Sequence, residues 1–140
     1  MNSKLYYILQ HTWGIIGTLI GYVCGLVFLP FAKGTYKTGN AFTIELRQNI
    51  NAGFSIGPVI IIGNGCTLFL SHEYGHTIQN MILGPFAIIL VYIPSVLRFW
   101  VREKQFKEGY SLSPYDSVWF ERTATKMGSK YLFKEMKENE

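Results

Sequence analysis

The sequence predicts an α+β membrane protein. Its expected elements are an N-terminal transmembrane helix, a short β-hairpin, a helix of mixed polarity, an apolar re-entrant or core segment and a C-terminal helix. Three observations lead there. Residues 13–32, WGIIGTLIGYVCGLVFLPFA, carry no charge. Two runs with strand character, 41–47 and 54–62, are separated by QNINAG. Residues 67–81 mix polar and apolar side chains as a helix with one functional face does.

A chain of 140 residues accommodates one compact domain. With 49% hydrophobic and only 16% charged residues, the composition argues against disorder. The mean hydropathy of +0.16 is high for a small soluble domain. The net charge is +4, and the cations follow the two apolar stretches: Lys33 and Lys37, then Arg98, Arg102, Lys104 and Lys107. That placement suits anionic lipid headgroups, so membrane lipids are the expected partner. The cations are not interleaved with aromatics on a polar surface, which argues against nucleic acid. Cys24 and Cys66 make no disulfide scaffold, and neither has a second cysteine at metal-ligand spacing.

The elements follow in order. At about 1.5 Å per residue, residues 13–32 span roughly the 30 Å core of a bilayer. No A-x-A-like cleavage site follows them, so a retained helix is preferred to a signal peptide. Gly17, Gly21 and Gly25 form a smooth stripe suited to close approach by another helix backbone. Residues 1–33 are therefore assigned to an N-terminal segment and membrane helix, and 34–140 to the one compact domain, with 83–101 as its apolar membrane-associated segment. KGTYKTGN (33–40) reads as a polar turn. The runs 41–47 and 54–62 read as two strands joined by a turn, with Pro58 marking an edge strand or a bulge. A helix over 67–81 is stopped by Gly84 and Pro85. The second apolar stretch, 83–101, is interrupted by Pro85 and Pro94. A charged loop leads to a last helix over 115–127, with Ser113 as a cap, Pro114 at its start and Gly128 as its stop.

His72-Glu73-Tyr74-Gly75-His76 matches the pattern H-E-x-x-H. Residues i and i+4 share one helix face, so both imidazoles can reach one metal ion. Glu73 adjoins the first ligand and can act on a water without replacing it. Gly75 leaves space for another element beside His76. Roughly 0.004 chance matches are expected for this composition, against the competing reading of two ordinary helix-face histidines. The expected cofactor is Zn²⁺, which needs a third protein ligand and an open position. The acidic choices downstream are Glu103, Glu108, Asp116, Glu121, Glu135, Glu138 and Glu140. Glu121 stands among apolar neighbours, where an unpartnered carboxylate is costly. A surface pairing of Glu121 with Arg122 or Lys126 is the alternative. Asp116 is the reserve ligand, or else a helix-dipole partner.

His72-Glu73-Tyr74-Gly75-His76 followed by Glu121-Arg122-Thr123-Ala124 resembles the gluzincin branch of zinc metallopeptidases. There H-E-x-x-H is completed by a glutamate in an E-x-x-A pattern on a later helix. The run Ser55-Ile56-Gly57-Pro58 through Leu83-Gly84-Pro85, Ile93-Pro94-Ser95 and Tyr115 to Gly128 also resembles small bacterial membrane proteins with an H-E-Y-G-H motif, over about half the chain. The resemblance implies His72, His76 and Glu121 as metal ligands and Glu73 as general base. One departure stands out: Thr125 occupies the place after E-x-x-A where many such sequences have aspartate, an acidic group that orients a ligand histidine.

His72 and His76 precede the second apolar stretch and Glu121 follows it. A single crossing by 83–101 would separate the ligands across the bilayer. A re-entrant hairpin broken near Pro94, or a core segment of a membrane-seated domain, keeps them together. The expected function is a membrane-anchored zinc metallohydrolase, a peptidase with an extended peptide laid along the 54–62 strand. The alternative is a non-catalytic membrane protein with a structural zinc. The expected location is a bacterial inner or cytoplasmic membrane. Lys33 and Lys37 outnumber Lys4, which favours a cytoplasmic metal domain.

Overall fold

The computed structural model describes residues 1–138 as an α+β fold with a four-stranded mixed sheet and five α-helices. The first helix, α1 (Ser3–His11), is not foreseen in the sequence reading. The Asn2 side chain caps it by accepting from the Leu5 N–H at 3.2 Å. Its Tyr6 and Gln10, one turn apart, are completely buried.

The single 20-residue membrane helix expected over 13–32 is a shorter element. Helix α2 spans Ile15–Phe28 and ends in a 3₁₀ turn, Leu29–Phe31, before Ala32 enters the sheet. The axis bends by 93° between α1 and the helical run Ile15–Phe31. Among the described residues, no single helix is long and apolar enough to cross a membrane; the bent pair meets the length and hydropathy criteria only together. The glycine stripe shows why α2 lies where it does. Gly17 backs onto the Asn80 side chain, Gly21 onto the Ile56 carbonyl, and Gly25 onto Val59 and Ile44. The stripe thus admits the Asn80 side chain, a β-turn and strand side chains, not another helix backbone. The opposite face of α2, with Leu19, Val23 and Leu26, is exposed.

Residues 33–40, expected as a turn, are mostly strand. β1 (Ala32–Thr38) pairs antiparallel with β2 (Ala41–Leu46) across Gly39-Asn40, with Gly39 at φ +59°. The run 54–62 is not one strand. It folds back at Gly57-Pro58 into β3 (Gly53–Ile56) and β4 (Val59–Ile62), an antiparallel hairpin. Gly57 at φ +57° supplies the turn, and Pro58 needs no ladder donor there. β4 pairs parallel with β2, giving the order β1-β2-β4-β3 with β3 at an edge. All four residues of β4 are buried. Ile60 and Ile62 join Tyr6, Tyr74, Ile78 and Met81 in one core; Val59 and Ile61 join Ile44 and Leu46 in a second, against the α2 residues Cys24 and Phe28.

A 3₁₀ turn (Thr67–Phe69) leads into α3 (Leu70–Leu83), which ends at Gly84 with φ +57° as the sequence predicts. The chain does not double back at Pro94. A π-helical segment, Ile88–Tyr92, runs into α4 (Ile93–Lys107), with Pro94 in its first turn. Proline lacks the N–H that would bond four residues back, and the widened segment before it absorbs the mismatch. Nor is this helix core: no residue of α4 is buried. The last element, α5 (Trp119–Glu138), follows a 3₁₀ turn (Tyr115–Ser117) and continues through Gly128 instead of stopping there.

Gly128 has a different task. A Cβ there would strike the Ser71 carbonyl, and a Cβ on Gly75 would strike the carbonyl of Ala124. Small residues four apart on each helix, Ser71/Gly75 and Ala124/Gly128, bring the α3 and α5 backbones into contact. This packing predicts that Gly128→Ala lowers unfolding stability by about 1–3 kcal/mol through overpacking, despite alanine's better helix propensity. Denaturant unfolding checks it; an unchanged midpoint would contradict the contact.

Candidate metal centre

The α3–α5 contact sets three side chains face to face. His72 and His76 lie one turn apart on α3, and Glu121 lies in the first turn of α5. His72 Nε2 is 3.1 Å from His76 Nε2 and 3.0 Å from Glu121 Oε2. His76 Nε2 is 3.3 Å from the same oxygen. Tetrahedral ligands held at about 2.0–2.1 Å from one ion lie about 3.3 Å apart, so this set fits a metal ion. His76 and Glu121 are buried and His72 is half-buried.

The outer nitrogens of both rings are occupied. His76 Nδ1 lies 2.7 Å from Gln79 Oε1. Gln79 Nε2 donates to the Phe120 carbonyl at 2.7 Å and to Thr123 Oγ1 at 3.1 Å, which fixes the amide with its oxygen toward the ring. In the neutral ring, His76 Nδ1 is therefore the protonated nitrogen, leaving Nε2 as the inward lone pair. His72 Nδ1 meets Thr125 Oγ1 at 2.9 Å. The second oxygen of Glu121 accepts from Ser95 Oγ at 2.7 Å. Inward-facing acceptors at this separation repel unless a cation lies among them. A proton joins two; a metal ion joins all three.

Charge follows the same logic. Burial pushes the Glu121 carboxyl up, but hydrogen bonds from His72, His76 and Ser95 more than reverse this and hold it far below its usual range. Burial opposes charge on His76, yet its bond to Glu121 and the nearby Glu73 and Glu121 carboxylates raise its pKa above the ordinary 6.5.

Glu73 does not join the ligand group. Its Oε2 accepts from Ser55 Oγ of the edge strand at 2.8 Å. With His76 it lines a cleft of about 430 Å³ bounded by β3, Tyr92, Ser95 and Tyr115, and by Val96, Phe99 and Trp100 of α4. Tyr115 packs edge-on to His72, ring centroids 5.4 Å apart. Its hydroxyl is pushed up to about 12 by burial and then by Glu121 and Glu73, so it stays protonated and able to donate.

The sequence-predicted trio His72, His76 and Glu121 is brought together, with Glu73 beside it. Asp116, the reserve ligand, is not in the group; it accepts from Thr125 Oγ1 at 2.9 Å. Glu103 and Glu108 pair with Lys107 and Lys104 on exposed α4. Glu140 lies outside the described residues, as do the side chains of Glu135 and Glu138. Glu121 does not pair with Arg122, whose Nε instead donates to the Asp116 carbonyl at 3.2 Å. The sequence reading missed Ser55, Gln79, Ser95 and Tyr115 as neighbours of the site. Gln79 was accessible in principle, three residues beyond His76 on the same helix face.

The two shifts make the metal-free protein sensitive to pH in a defined direction. His76 is raised, so its contribution is complete below 6.5 and is lost as pH climbs through its folded value. Glu121 is lowered, so its contribution is present above its ordinary 4.5 and disappears as pH falls through its folded value. Metal-stripped protein is expected to melt at a lower temperature as pH rises from 6.5 through the folded value of His76. Metal-loaded protein should show the opposite trend from acid to neutral, because protons compete for the ligands. Thermal melts with and without chelator decide this; parallel curves would exclude a metal at these residues.

No family model matches the chain, and no curated protein or solved structure matches it.

Proposed function

We propose that this chain is a membrane-associated zinc metallohydrolase, a peptidase of gluzincin type. The observation that carries the reading is the division of labour between the acidic groups. Glu121 faces both histidines, while Glu73 stands apart in the cleft wall, held by Ser55. Two imidazoles and one carboxylate are a donor set suited to zinc, with a fourth position left for chemistry. Zinc, when bound, supplies positive charge that acidifies water and polarises a carbonyl. Glu73 takes the proton from the attacking water and passes it to the leaving amine. Ser55 holds the Glu73 carboxylate while Tyr115 donates a hydrogen bond toward the carbonyl oxygen. β3 is an edge strand, so an extended peptide can lie along it beside Glu73.

Membrane association is the second part of the proposal. The outer side of α2 exposes Leu19, Val23 and Leu26, and that of α4 exposes Ile93, Leu97 and Val101. Trp13, just before α2, and Phe86, just before the π-helical segment, are both half open to solvent, with ring centroids 6.2 Å apart. An apolar surface of this extent favours lipid, consistent with a bacterial cytoplasmic membrane. The competing reading is a metal brace without catalysis, favoured by ligands that come from the two tightly packed helices.

Two tests separate these readings. Glu73→Gln should retain metal and lose about 10²–10⁴ in hydrolytic rate. Glu121→Gln should lose metal affinity as well. Equal metal loss in both variants would overturn the assigned roles; full activity in Glu73→Gln would remove Glu73 as the base, and metal-loaded wild type without hydrolytic activity would leave the brace. Purified protein is expected to float with lipid vesicles, and triple Leu→Asn substitution at Leu19, Leu26 and Leu97 should reduce that. Wild-type protein remaining at the bottom of the gradient would refute the membrane reading.

A further inference from the structure

The place after E-x-x-A holds Thr125, yet the structure supplies a carboxylate by another route. Thr125 Oγ1 lies 2.9 Å from His72 Nδ1 and 2.9 Å from Asp116 Oδ1. A threonine hydroxyl has one proton. Ionised Asp116 can only accept, so that proton goes to Asp116. The hydroxyl oxygen must then accept from His72, and His72 Nδ1 must carry the hydrogen. We infer that Asp116 and Thr125 form a two-step relay that positions His72 as a metal ligand, replacing a direct aspartate–histidine contact. The inference rests on the metal-site reading for its consequence, and on the hydrogen-bond geometry alone for its existence.

The relay has an anchored far end. Asp116 belongs to the short 3₁₀ turn before α5, and α4 fixes that turn from outside. Arg98 donates to the carbonyls of Pro114 and Tyr115, both at 3.1 Å, and to Ser117 Oγ at 2.8 Å. Arg102 donates to the Ser113 carbonyl. The Asp116 carbonyl itself accepts from Arg122 Nε. The carboxylate therefore does not hang on a free loop; three arginines set its backbone.

The effect on His72 is twofold. A proton fixed on Nδ1 leaves Nε2 as the lone pair, turned toward Glu121 and His76. Negative charge at the end of the relay also stabilises a ring that is giving electron density to a cation. His76 has no such charge behind it, only the neutral Gln79 amide. The two histidines are thus held by different means, and His72 is the more strongly polarised of the pair.

The test uses the full chain and Zn²⁺ with a competing chelator, together with nitrogen-15 spectra of the imidazoles. Thr125→Val keeps the side-chain volume and removes the hydroxyl; Asp116→Asn removes the charge; Thr125→Ser keeps the relay. Thr125→Val and Asp116→Asn should each weaken Zn²⁺ binding by about 10- to 100-fold. The double variant should be no weaker than the worse single one, since both break one relay. Thr125→Ser should bind like wild type. Thr125→Asp, which places a carboxylate against His72 directly, should restore affinity in the Asp116→Asn background. In metal-free protein the spectra should show His72 protonated at Nδ1, with that state lost in Thr125→Val and His76 unaltered. Additive losses, unchanged affinities, or His72 lacking the Nδ1 proton in wild type would each overturn the relay. Failure of wild type to bind Zn²⁺ would refute the metal reading separately, and the spectra would still decide the relay.

Discussion

The backbone contact between α3 and α5 is the constraint on which the rest of the molecule depends. Two helices can place three ligand atoms within about 3 Å of each other only if their axes come close, and ordinary side chains keep axes about 8–10 Å apart. Gly75 and Gly128 remove that spacing at two points, against the carbonyls of Ala124 and Ser71. The glycine of the histidine motif and the alanine of the glutamate motif are therefore two halves of a single contact. Their chemistry is steric. Once the helices touch there, Gln79 reaches the start of α5, Thr125 reaches His72, and Glu121 comes to lie between both rings.

Holding a carboxylate with no solvent exposure in such a place is costly, and the surroundings answer that cost in kind. Ser95 takes one oxygen of Glu121 and the histidines face the other. The remaining mismatch, converging lone pairs, is one that positive charge relieves. The site is thus preorganised to accept positive charge: neutral and anionic groups are folded around a position that a cation can fill. Each participant is also attached to a different part of the scaffold. Ser55 brings in the sheet, Ser95 brings in α4, and Thr125 brings in the turn before α5.

Much of the site was legible because H-E-x-x-H encodes geometry directly: residues one turn apart share a face wherever the helix is placed. Glu121 was legible through its apolar surroundings. What escaped was carried by contacts distant in sequence. Strand β1 is polar because it is an edge strand, and its KGTYKTG sequence resembles a turn for that reason. The single run 54–62 hides a hairpin, since Gly57-Pro58 reads equally as a bulge. Gly128 looks like a stop signal but answers to Ser71, more than fifty residues earlier. Pro94 looks like a break, but the π-helical turn before it removes the conflict. Asp116 could be recognised as acidic and near the site, though not as the distant end of a relay whose middle residue stands in for aspartate.

Helix α4 forms one wall of the cleft without contributing a buried residue to the core. It is fastened by a few polar links, from Ser95, Arg98 and Arg102, and by the single ring of Tyr115 beneath both arginines. Folding energy and cleft lining are therefore nearly independent here. Val96, Phe99 and Trp100 can be exchanged for side chains of other size or polarity with little loss of stability, whereas the opposite wall, built from strand and histidine helix, cannot vary without disturbing the centre. Lineages of this scaffold would be expected to drift along α4 while the α3–α5 seam stays fixed, so that the preference for what enters the cleft evolves on a surface the fold barely registers.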